Sequence, residues 1–384
     1  MEIIHLILGK ANPERMNGVN RVVYNLATKQ VEYDHHVEVW GITKKIKHNF
    51  PPRQFITRLY QSQKNPFSLD SRLIREIKDK QGKAIFHLHG GWIPAFATAS
   101  KLLDSLQIPF ILTPHGAYNT IAMQRSRWSK KLYHRIFESK LINRSQAIHC
   151  LGRSEVNGLK KMNPEADSHI LRYGFEPQIH NHDRIERGEF ILGFVGRIDI
   201  YTKGLDLILQ ALAQLKSRNL KIQFWIIGDG KDTTQLRKLI SEYQIEDICK
   251  ILGSKHGQEK EKLMAQMNAF VHPSRNEGLP NAILEAAALK IPVIASQATN
   301  LSDLIRQYDA GIEIPDNNSS ALEAAISKLY DEFLGGSLPD RGHRASQMLL
   351  SEFTWSKIIR QYYEMYTNTF RKSELNHHPV QVIS

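Results

Sequence analysis

The sequence has little cysteine and no long hydrophobic run, and each shortage excludes a class of protein. Two cysteines in 384 residues are too few for a disulfide scaffold, and Cys150 and Cys249 are expected to be small core residues. No stretch of about 18 apolar residues is present, so we expect no helix that spans a membrane. The N-terminus lacks the basic region and cleavage site of a signal peptide, which predicts a cytoplasmic protein.

The chain does have a basic surplus and enough length for two domains. Its 384 residues exceed one ordinary hydrophobic core, and 41% hydrophobic with 23% charged residues is typical of a globular protein. The net charge of +12 is compatible with nucleic acid, an anionic membrane surface or acidic small molecules as partners. The alternating aromatic and basic positions of a nucleic-acid binder are missing, so we expect no nucleic-acid partner.

Short apolar runs alternate with helical patterns in two series, which predicts an α/β fold of two doubly wound parallel sheets. The predicted strands are residues 3–8, 37–40, 84–88, 110–113 and 147–150 in the first series and 190–195, 222–227, 269–272 and 292–295 in the second.

The polar segment 176–189 is the predicted linker between the two series. It divides the chain into an N-terminal domain over 1–178 and a C-terminal domain over 188–355. Aromatic residues at helical spacing predict a docking helix at about 356–371, and the polar residues 373–384 are predicted to be a disordered tail.

The most informative segment surrounds Pro280. Proline is suited to the first turn of a helix, so the backbone amides near Gly278 and Leu279 are expected at a helix start. Unpaired N–H groups and the positive end of the helix dipole favour a phosphate there. Glu277 on the loop and Glu285 in the helix add a hydroxyl-binding carboxylate on each side. The arrangement suits a ligand with a sugar, a diphosphate and a ribose, and a phosphate site argues against a glycosidase acid and nucleophile.

Two cations follow the first strand of the second series. Arg197 and Lys203 come after Val195, at the carboxyl end of a strand, where open α/β sheets bind ligands. Fixed cations and a helix start can neutralise a diphosphate leaving group, a task for which other enzymes use a metal. The Asp-x-Asp pattern of metal-dependent transferases is missing, so we expect neither a metal nor another cofactor. The alternative is a solvated basic loop.

These motifs resemble those of glycosyltransferase family 4, retaining enzymes of GT-B type. Glu277 and Glu285 match a Glu-x7-Glu signature, while Arg197 and Lys203 match a Gly-Arg…Lys-Gly motif. The resemblance implies two facing Rossmann-like domains with a cleft between them, and a last helix that crosses back onto the N-terminal domain. It also implies that the two cations hold the donor diphosphate. By the same resemblance, Glu277 binds the donor sugar and Glu285 the ribose.

Three glycines are expected to contribute to donor binding, two of them, Gly18 and Gly228, by the same resemblance. Gly18 follows the first strand and lets the backbone approach the phosphate, although many relatives have a second glycine where this chain has Asn17. Gly228 forms a tight turn beside the nucleotide, and Gly253 supplies main-chain contacts to the base.

His115 ends a predicted strand of the first series, in the sequence Thr-Pro-His-Gly. The resemblance implies that it hydrogen-bonds the donor sugar near the reacting carbon, whereas a lone histidine is otherwise a structural or solvated group. The similar segment 89–92, His-Gly-Gly-Trp, is expected to shape the acceptor pocket.

Segment 125–144 is basic and amphipathic. Its apolar residues Trp128, Leu132, Ile136 and Leu141 can share one helical stripe surrounded by lysine and arginine. Such a helix can lie on an anionic membrane surface, and it can equally dock on its own domain with a wet basic face.

The resemblance implies a metal-independent, retaining transfer of a hexose, glucose in the first place, from a nucleotide diphosphate sugar, namely a UDP-sugar. The implied acceptor is a saccharide or lipid-linked saccharide of bacterial envelope or exopolysaccharide biosynthesis, and the implied location is the cytoplasm or the inner face of the cytoplasmic membrane. Two alternatives remain: a sugar-nucleotide epimerase of the same fold, and a basic anion-binding module without turnover.

Overall fold

The computed structural model describes residues 1–12, 18–48, 50–119, 123, 127–176 and 188–377, and the chain divides into two units. Unit 1 comprises residues 1–174 together with the chain from Trp355 onward, and unit 2 comprises residues 175–354. The division falls just before the predicted linker, of which residues 177–187 lie outside the described residues. No helix within the described ranges is long and apolar enough to cross a membrane.

Unit 1 alternates strands with helices. Its elements are β1 (Glu2–Leu8), α1 (Gly18–Glu32), β2 (Val37–Thr43), β3 (Ile56–Gln61), α2 (Ser71–Asp79), β4 (Ala84–His89), α3 (Pro94–Ser105), β5 (Phe110–Thr113), α4 (Arg127–Tyr133), a π-helix (His134–Glu138), α5 (Ser139–Arg144), β6 (Ala147–Cys150), α6 (Arg153–Met162), β7 (Ser168–Ile170) and the C-terminal helix (Trp355–His377). The strands form one parallel sheet in the order β3-β2-β1-β4-β5-β6-β7.

The two faces of this sheet are covered by different helices, because successive side chains of a strand point to opposite sides. Leu6 and Phe86 lie on the face that packs against α2 and α3. Ile3, Ile7 and Ile85 lie on the other face, which α1 and the C-terminal helix cover.

Unit 2 repeats the pattern. Its elements are β8 (Phe190–Val195), α7 (Ile200–Lys203), α8 (Leu205–Lys216), β9 (Ile222–Ile227), α9 (Thr233–Glu242), β10 (Cys249–Gly253), α10 (Gly257–Met264), β11 (Ala269–His272), α11 (Asn281–Ala288), β12 (Val293–Ser296), a 3₁₀ turn (Gln297–Thr299), α12 (Ser302–Gln307), β13 (Gly311–Ile314), α13 (Ser319–Leu334) and α14 (Leu338–Glu352). The parallel sheet has the order β10-β9-β8-β11-β12-β13.

Both sheets have the strand order of a Rossmann fold, so the predicted pair of doubly wound α/β sheets is confirmed. In each sheet the order reverses beside the first strand, between β1 and β4 and between β8 and β11. Loops at the carboxyl ends of strands beside such a reversal are where open α/β sheets bind ligands. In unit 2 these are the loops after Val195 and after His272.

Three sequence-based expectations about elements are wrong. The helix after the glutamate loop begins at Asn281, so Pro280 is its N-cap rather than part of its first turn. The C-terminal helix continues to His377, so the predicted tail is helical over 373–377, where Ser373 is buried; residues 378–384 lie outside the described residues. The four strands missing from the prediction, β3, β7, β10 and β13, are the outermost strands of the two sheets.

Segment 127–144 is not one regular α-helix. The π-helix at His134–Glu138 interrupts it, and a turn with i→i+5 hydrogen bonds shifts the helical register of everything that follows. Trp128, Leu132 and Ile136 are exposed, whereas Leu141, which follows the shift, is fully buried and does not belong to the predicted stripe. Residues 125 and 126 lie outside the described residues.

Candidate functional site

A buried carboxylate lies at the centre of the candidate site in unit 2. Glu277 accepts three hydrogen bonds through Oε1: one from Nζ of Lys203, one from Nε2 of His272 at 2.9 Å and one from Oγ of Ser274 at 2.9 Å. The structure therefore brings two of the predicted site residues, Lys203 and Glu277, into direct contact. It adds His272, which no sequence motif indicated.

Glu277 is ionised at neutral pH. Burial alone would raise the pKa of its carboxyl, but the hydrogen bond from His272 and the charge of Lys203 outweigh burial and lower the pKa to about 2. Burial also lowers the pKa of His272, which keeps this ring neutral and leaves Nε2–H as the donor to the carboxylate. The site thus holds one carboxylate whose charge is balanced by one ammonium group.

Arg275 ties the loop after β11 to the turn after β8. Its guanidinium forms two hydrogen bonds of 2.7 Å with the carboxylate of Asp206, and its backbone N–H donates to the carbonyl of Thr202 at 2.8 Å. Gly204 allows the close approach, because its φ is +70° and a Cβ there would lie 2.2 Å from the carbonyl oxygen of Pro273. These contacts place Lys203 beside Glu277.

The turn before α11 keeps backbone donors available. No described group accepts a hydrogen bond from the backbone N–H of Gly278 or Leu279. Asn300 fixes the turn from the other side, since its Nδ2 donates to the carbonyl of Gly278 at 2.7 Å and to that of Glu277 at 3.2 Å. The turn therefore has its carbonyls engaged while these two N–H groups can bind an anion.

Arg197 is exposed on the loop after β8, and its side chain forms no hydrogen bond or ion pair within the described residues. The neighbouring turn is tightly packed: a Cβ on Gly228 would lie 1.8 Å from the carbonyl oxygen of Gly196. The N–H of Gly228 donates to the carbonyl of Gly253 at 2.9 Å, which joins the ends of β9 and β10. The structure thus brings Gly228 and Gly253 together at the carboxyl edge of the sheet.

Glu285 is paired with a lysine that sequence reasoning missed. Nζ of Lys260 lies 2.7 Å from Oε2 of Glu285, and both side chains are mostly buried. Lys260 stands in α10 within a run of alternating charges, a pattern that by itself indicates only a solvated helix face.

In unit 1, both ring nitrogens of the predicted histidine are already bonded. His115 follows β5 with a φ of +54°, Nδ1 lies 2.6 Å from the hydroxyl of Tyr173, and Nε2 lies 2.9 Å from Nδ1 of His89. Burial lowers the pKa of His115 to about 3, so the ring is neutral. A hydrogen bond from this ring to a sugar requires that one of the two partners leave. Gly18 is the first residue of α1, and the loop before it, including Asn17, lies outside the described residues.

Comparisons with known proteins agree with the fold. The family model described as Glycosyltransferase Family 4 matches residues 16–178, and the one described as Glycosyl transferases group 1 matches residues 175–335. The amylovoran biosynthesis glycosyltransferase AmsK of Erwinia amylovora is 28% identical over 255 residues, which cover 64% of this chain and 61% of AmsK. The matched part therefore spans less than two thirds of that relative.

Two solved structures show the same fold at low identity. The sucrose-phosphate synthase of Thermosynechococcus elongatus has a TM-score of 0.74 at 18% identity and covers 97% of this chain and 100% of its own. HepE of Anabaena, solved in complex with UDP, has a TM-score of 0.71 at 15% identity, with coverage of 96% and 100%. The two matched ranges together run from residue 16 to residue 335, and the chain belongs to glycosyltransferase family 4 and has the GT-B fold.

Proposed function

We propose that the protein is a retaining hexosyltransferase that transfers glucose, or a close relative of it, from a UDP-sugar to a saccharide or lipid-linked saccharide. The observation that carries the proposal is the contact of Lys203 with Glu277 at the turn that leaves the N–H groups of Gly278 and Leu279 available. A cation, two backbone N–H groups and a carboxylate that can accept hydrogen bonds from hydroxyls therefore lie close to one turn. A nucleotide sugar, in which a sugar is joined to a diphosphate, needs this combination of groups.

The diphosphate is the group that the cations bind in this proposal. Arg197 has no partner to give up among the described residues, and Lys203 can contact a phosphate oxygen while it keeps Glu277. Hydrogen-bond donors that are already in position need not reorient when negative charge develops on the leaving group, so they stabilise it at little cost in free energy. We propose that these groups take the place of a metal ion, that Glu277 binds hydroxyls of the donor sugar, and that Glu285 binds the ribose.

Retention without a covalent intermediate is favoured by the state of Glu277. A carboxylate whose oxygen accepts three hydrogen bonds and whose pKa is about 2 is a weak nucleophile. We propose instead that an oxygen of the departing diphosphate takes the proton of the acceptor hydroxyl. The new glycosidic bond then forms on the face from which the diphosphate leaves.

The choice of donor and acceptor rests on relatives. HepE binds UDP in its solved complex, and AmsK acts in amylovoran biosynthesis, as its name states. We propose a UDP-linked donor and an acceptor of bacterial envelope or exopolysaccharide biosynthesis on that basis.

A donor screen tests the proposal. The protein is incubated with UDP-glucose, UDP-galactose, UDP-N-acetylglucosamine and GDP-mannose, each with and without saccharide acceptors and with and without EDTA, and the released nucleotide, the sugar on the remaining donor and donor binding are measured. We expect release of UDP from UDP-glucose that increases with the acceptor and is unaffected by EDTA. Conversion of the donor sugar without an acceptor would indicate an epimerase, and binding without turnover would indicate an anion-binding module.

Segment 127–144 supports a second element of the proposal, contact with an anionic membrane. Trp128, Leu132 and Ile136 are 83%, 62% and 42% exposed and are spaced four residues apart, so they extend from one side of the segment. Lys131 and Arg135 lie between them, and no acidic residue occurs from Arg127 to Phe137. Exposed apolar side chains among cations match the surface of an anionic bilayer, where apolar groups insert and cations meet lipid phosphates.

Vesicle binding distinguishes this surface from an ordinary wet helix. We expect the double variant W128S/L132S to bind phosphatidylglycerol vesicles at least about tenfold more weakly than the wild type, because two inserted side chains are lost. The control is L350S, which removes another exposed leucine from unit 2. Equal binding of all three proteins, or equal binding to purely zwitterionic vesicles, would contradict the proposal.

A further inference from the structure

Four histidines and one threonine form a polar stripe on one face of the sheet in unit 1. His5 of β1 lies beside His87 of β4, His89 lies beside Thr113 of β5, and His149 of β6 follows. All five side chains are buried on the face that α1 and the C-terminal helix cover. These helices contribute Gln30 and Tyr366 to the same stripe.

The direction of every hydrogen bond in the stripe follows from one backbone carbonyl. The carbonyl of Leu171 lies 2.8 Å from Nε2 of His149 and can only accept, so this nitrogen carries the proton; the Tyr362 hydroxyl is farther, at 3.4 Å. Nδ1 of neutral His149 must then accept from the hydroxyl of Thr113 at 2.7 Å. Thr113 in turn accepts from Nε2 of His87 at 2.5 Å.

The same reasoning continues through the helices. Nδ1 of His87 accepts from the hydroxyl of Tyr366 at 2.8 Å, and that hydroxyl accepts from the amide nitrogen of Gln30 at 3.3 Å. The amide oxygen of Gln30 is therefore the end that faces His5, and it accepts from Nε2 of His5 at 2.7 Å. Nδ1 of His5 must be an acceptor, and Nε2 of His89 lies 2.8 Å from it.

The last two bonds lead to the candidate site residue. Nδ1 of His89 accepts from Nε2 of His115 at 2.9 Å, which leaves Nδ1 of His115 as an acceptor. The hydroxyl of Tyr173 donates to it at 2.6 Å. We call the ordered series from Leu171 to Tyr173 the histidine chain; each imidazole in it has one proton, on Nε2.

The hydrogen bonds of the histidine chain require that all five of its imidazole rings are neutral. Burial lowers the pKa of His5 and of His149 to about 4, and it also lowers the pKa of His87 and of His89 well below the usual histidine value. A second proton on any ring would place two donors face to face in a buried position, which is costly.

A metal site does not explain the cluster. His5, His87 and His89 each offer a nitrogen within 4.8 Å of the others. However, two nitrogen ligands of one tetrahedral zinc lie about 3.3 Å apart, as follows from Zn–N bonds of about 2.05 Å, whereas the nitrogens of His5 and His89 are 2.8 Å apart. That separation is a hydrogen bond, and each of the three rings has both nitrogens bonded.

We propose that the histidine chain fixes His115 as a hydrogen-bond acceptor at Nδ1, and that Tyr173 occupies this nitrogen until a substrate hydroxyl replaces it. His89, His5 and Gln30 are then positioning residues. The proposal rests on the proposed glycosyl transfer for the identity of that hydroxyl. In this state Nδ1 of His115 can accept a hydrogen bond from a substrate hydroxyl, but it carries no proton and cannot donate one.

Nitrogen NMR of the full-length protein labelled with ¹⁵N-histidine tests the chain without any substrate. We expect His5, His87, His89, His115 and His149 to be neutral Nε2–H tautomers at pH 7.5, with signals assigned by single substitutions. A Nδ1–H tautomer at His115, an imidazolium ring in the chain, or metal bound at one equivalent would overturn the proposal. Because no substrate is needed, failure here leaves the transferase assignment intact.

Two substitutions at Gln30 act on His115 from a distance. Gln30→Met removes both hydrogen bonds at similar volume, and we expect mixed tautomers of His115 and a kcat about tenfold lower at an unchanged KM for the donor. Gln30→Glu places a carboxylate beside His5 that favours a second proton there, so the tautomers of His89 and His115 should invert to Nδ1–H. The control H36Q changes an exposed histidine of unit 1 that lies outside both the histidine chain and segment 127–144. A Gln30→Met variant with the wild-type tautomer at His115 would contradict the positioning role.

Tyr173→Phe tests the exchange of the hydroxyl. The ring that stacks on His115 stays and only the competing donor is lost, so we expect the KM of the substrate that supplies the hydroxyl to fall about two- to tenfold. An unchanged or higher KM in a folded variant would show that Tyr173 does not compete with the substrate. If the tautomers are as expected but no nucleotide sugar is turned over, the proposed transferase function is wrong, whereas the proposed histidine chain still holds.

Discussion

Replacing Arg197 with alanine is expected to lower kcat by about 10²- to 10³-fold, the loss that follows removal of one preorganised donor to developing charge. Arg197 is the better test than Lys203. Lys203 neutralises the buried carboxylate of Glu277, so its removal would leave a buried charge unpaired and would destabilise unit 2 for reasons unrelated to catalysis. Arg197 is exposed and has no side-chain partner within the described residues, so the variant should fold as the wild type does.

The matched control is Arg218→Ala. Arg218 follows α8 near the start of β9, at the edge of the sheet opposite the candidate site, and it pairs with Glu323 on the surface. It has the same charge in the same unit, so a general effect of net charge would appear equally in both variants. The measurement is UDP release at saturating donor and acceptor. Turnover of folded Arg197→Ala within about threefold of the control would contradict a direct role on the diphosphate.

Acidification from pH 7.5 to 5 is expected to destabilise unit 1. A buried histidine whose pKa is lowered in the folded state binds its proton more readily when unfolded, so stability falls as the pH drops below about 6.5. For His5 and His149, with a pKa of about 4 in the fold, the loss at pH 5 is about 2 kcal/mol each. His87, His89 and His115 act in the same direction.

One carboxyl opposes this trend. Burial raises the pKa of Glu155 to about 7, so the folded state takes up a proton there as the pH falls, which offsets about one histidine. Burial also raises the pKa of Glu138. We expect a net loss of at least about 4 kcal/mol between pH 7.5 and 5.

Urea unfolding at several pH values, followed for each unit by hydrogen exchange, measures this loss. The dependence on pH should be concentrated in unit 1, which holds all five rings. His149→Gln should reduce the slope by about one proton, because it removes one titrating ring. A flat unfolding free energy between pH 7.5 and 5 would show that the rings are not buried in neutral form.

The central strands of both sheets could be predicted because they are mostly apolar. β1, β4 and β8 are buried on both faces by helices, and they consist mainly of Ile, Leu, Phe and Val, interrupted by His5 in β1, by His87 and His89 in β4 and by Gly193 in β8. The outermost strands have a neighbour on one side only. β7 is three residues long and β10 is partly exposed, so neither has an apolar run that distinguishes it from a loop.

The candidate site shows the same division. Lys203 and Glu277 were both predicted site residues, and the structure brings them into contact. This could be predicted because their motifs follow strands, and a Rossmann sheet brings the loops after its strands together. His272, Lys260 and Asn300 could not be found, since only the fold brings them to their partners. Part of the histidine chain is visible in the sequence, because His87 and His89 are two residues apart in one strand and therefore lie on the same face of the sheet. Its partners come from six other segments, namely β1, α1, β5 with the residues after it, β6, the residues after β7 and the C-terminal helix, and no local pattern connects them.

The return of the C-terminal helix to unit 1 has a consequence for synthesis. Tyr362 and Tyr366 cover the face that carries Ile3, Ile85 and the histidine chain, yet the ribosome makes them only after the whole of unit 2. Until they emerge, the nascent first sheet exposes an apolar face and lacks the hydroxyl that bridges Gln30 to His87. A messenger RNA that ends between the codons for unit 2 and those for the C-terminal helix would therefore release a polypeptide in which unit 2 is intact and the sheet of unit 1 is uncovered on one face. Chaperones and proteases recognise such exposed apolar surface.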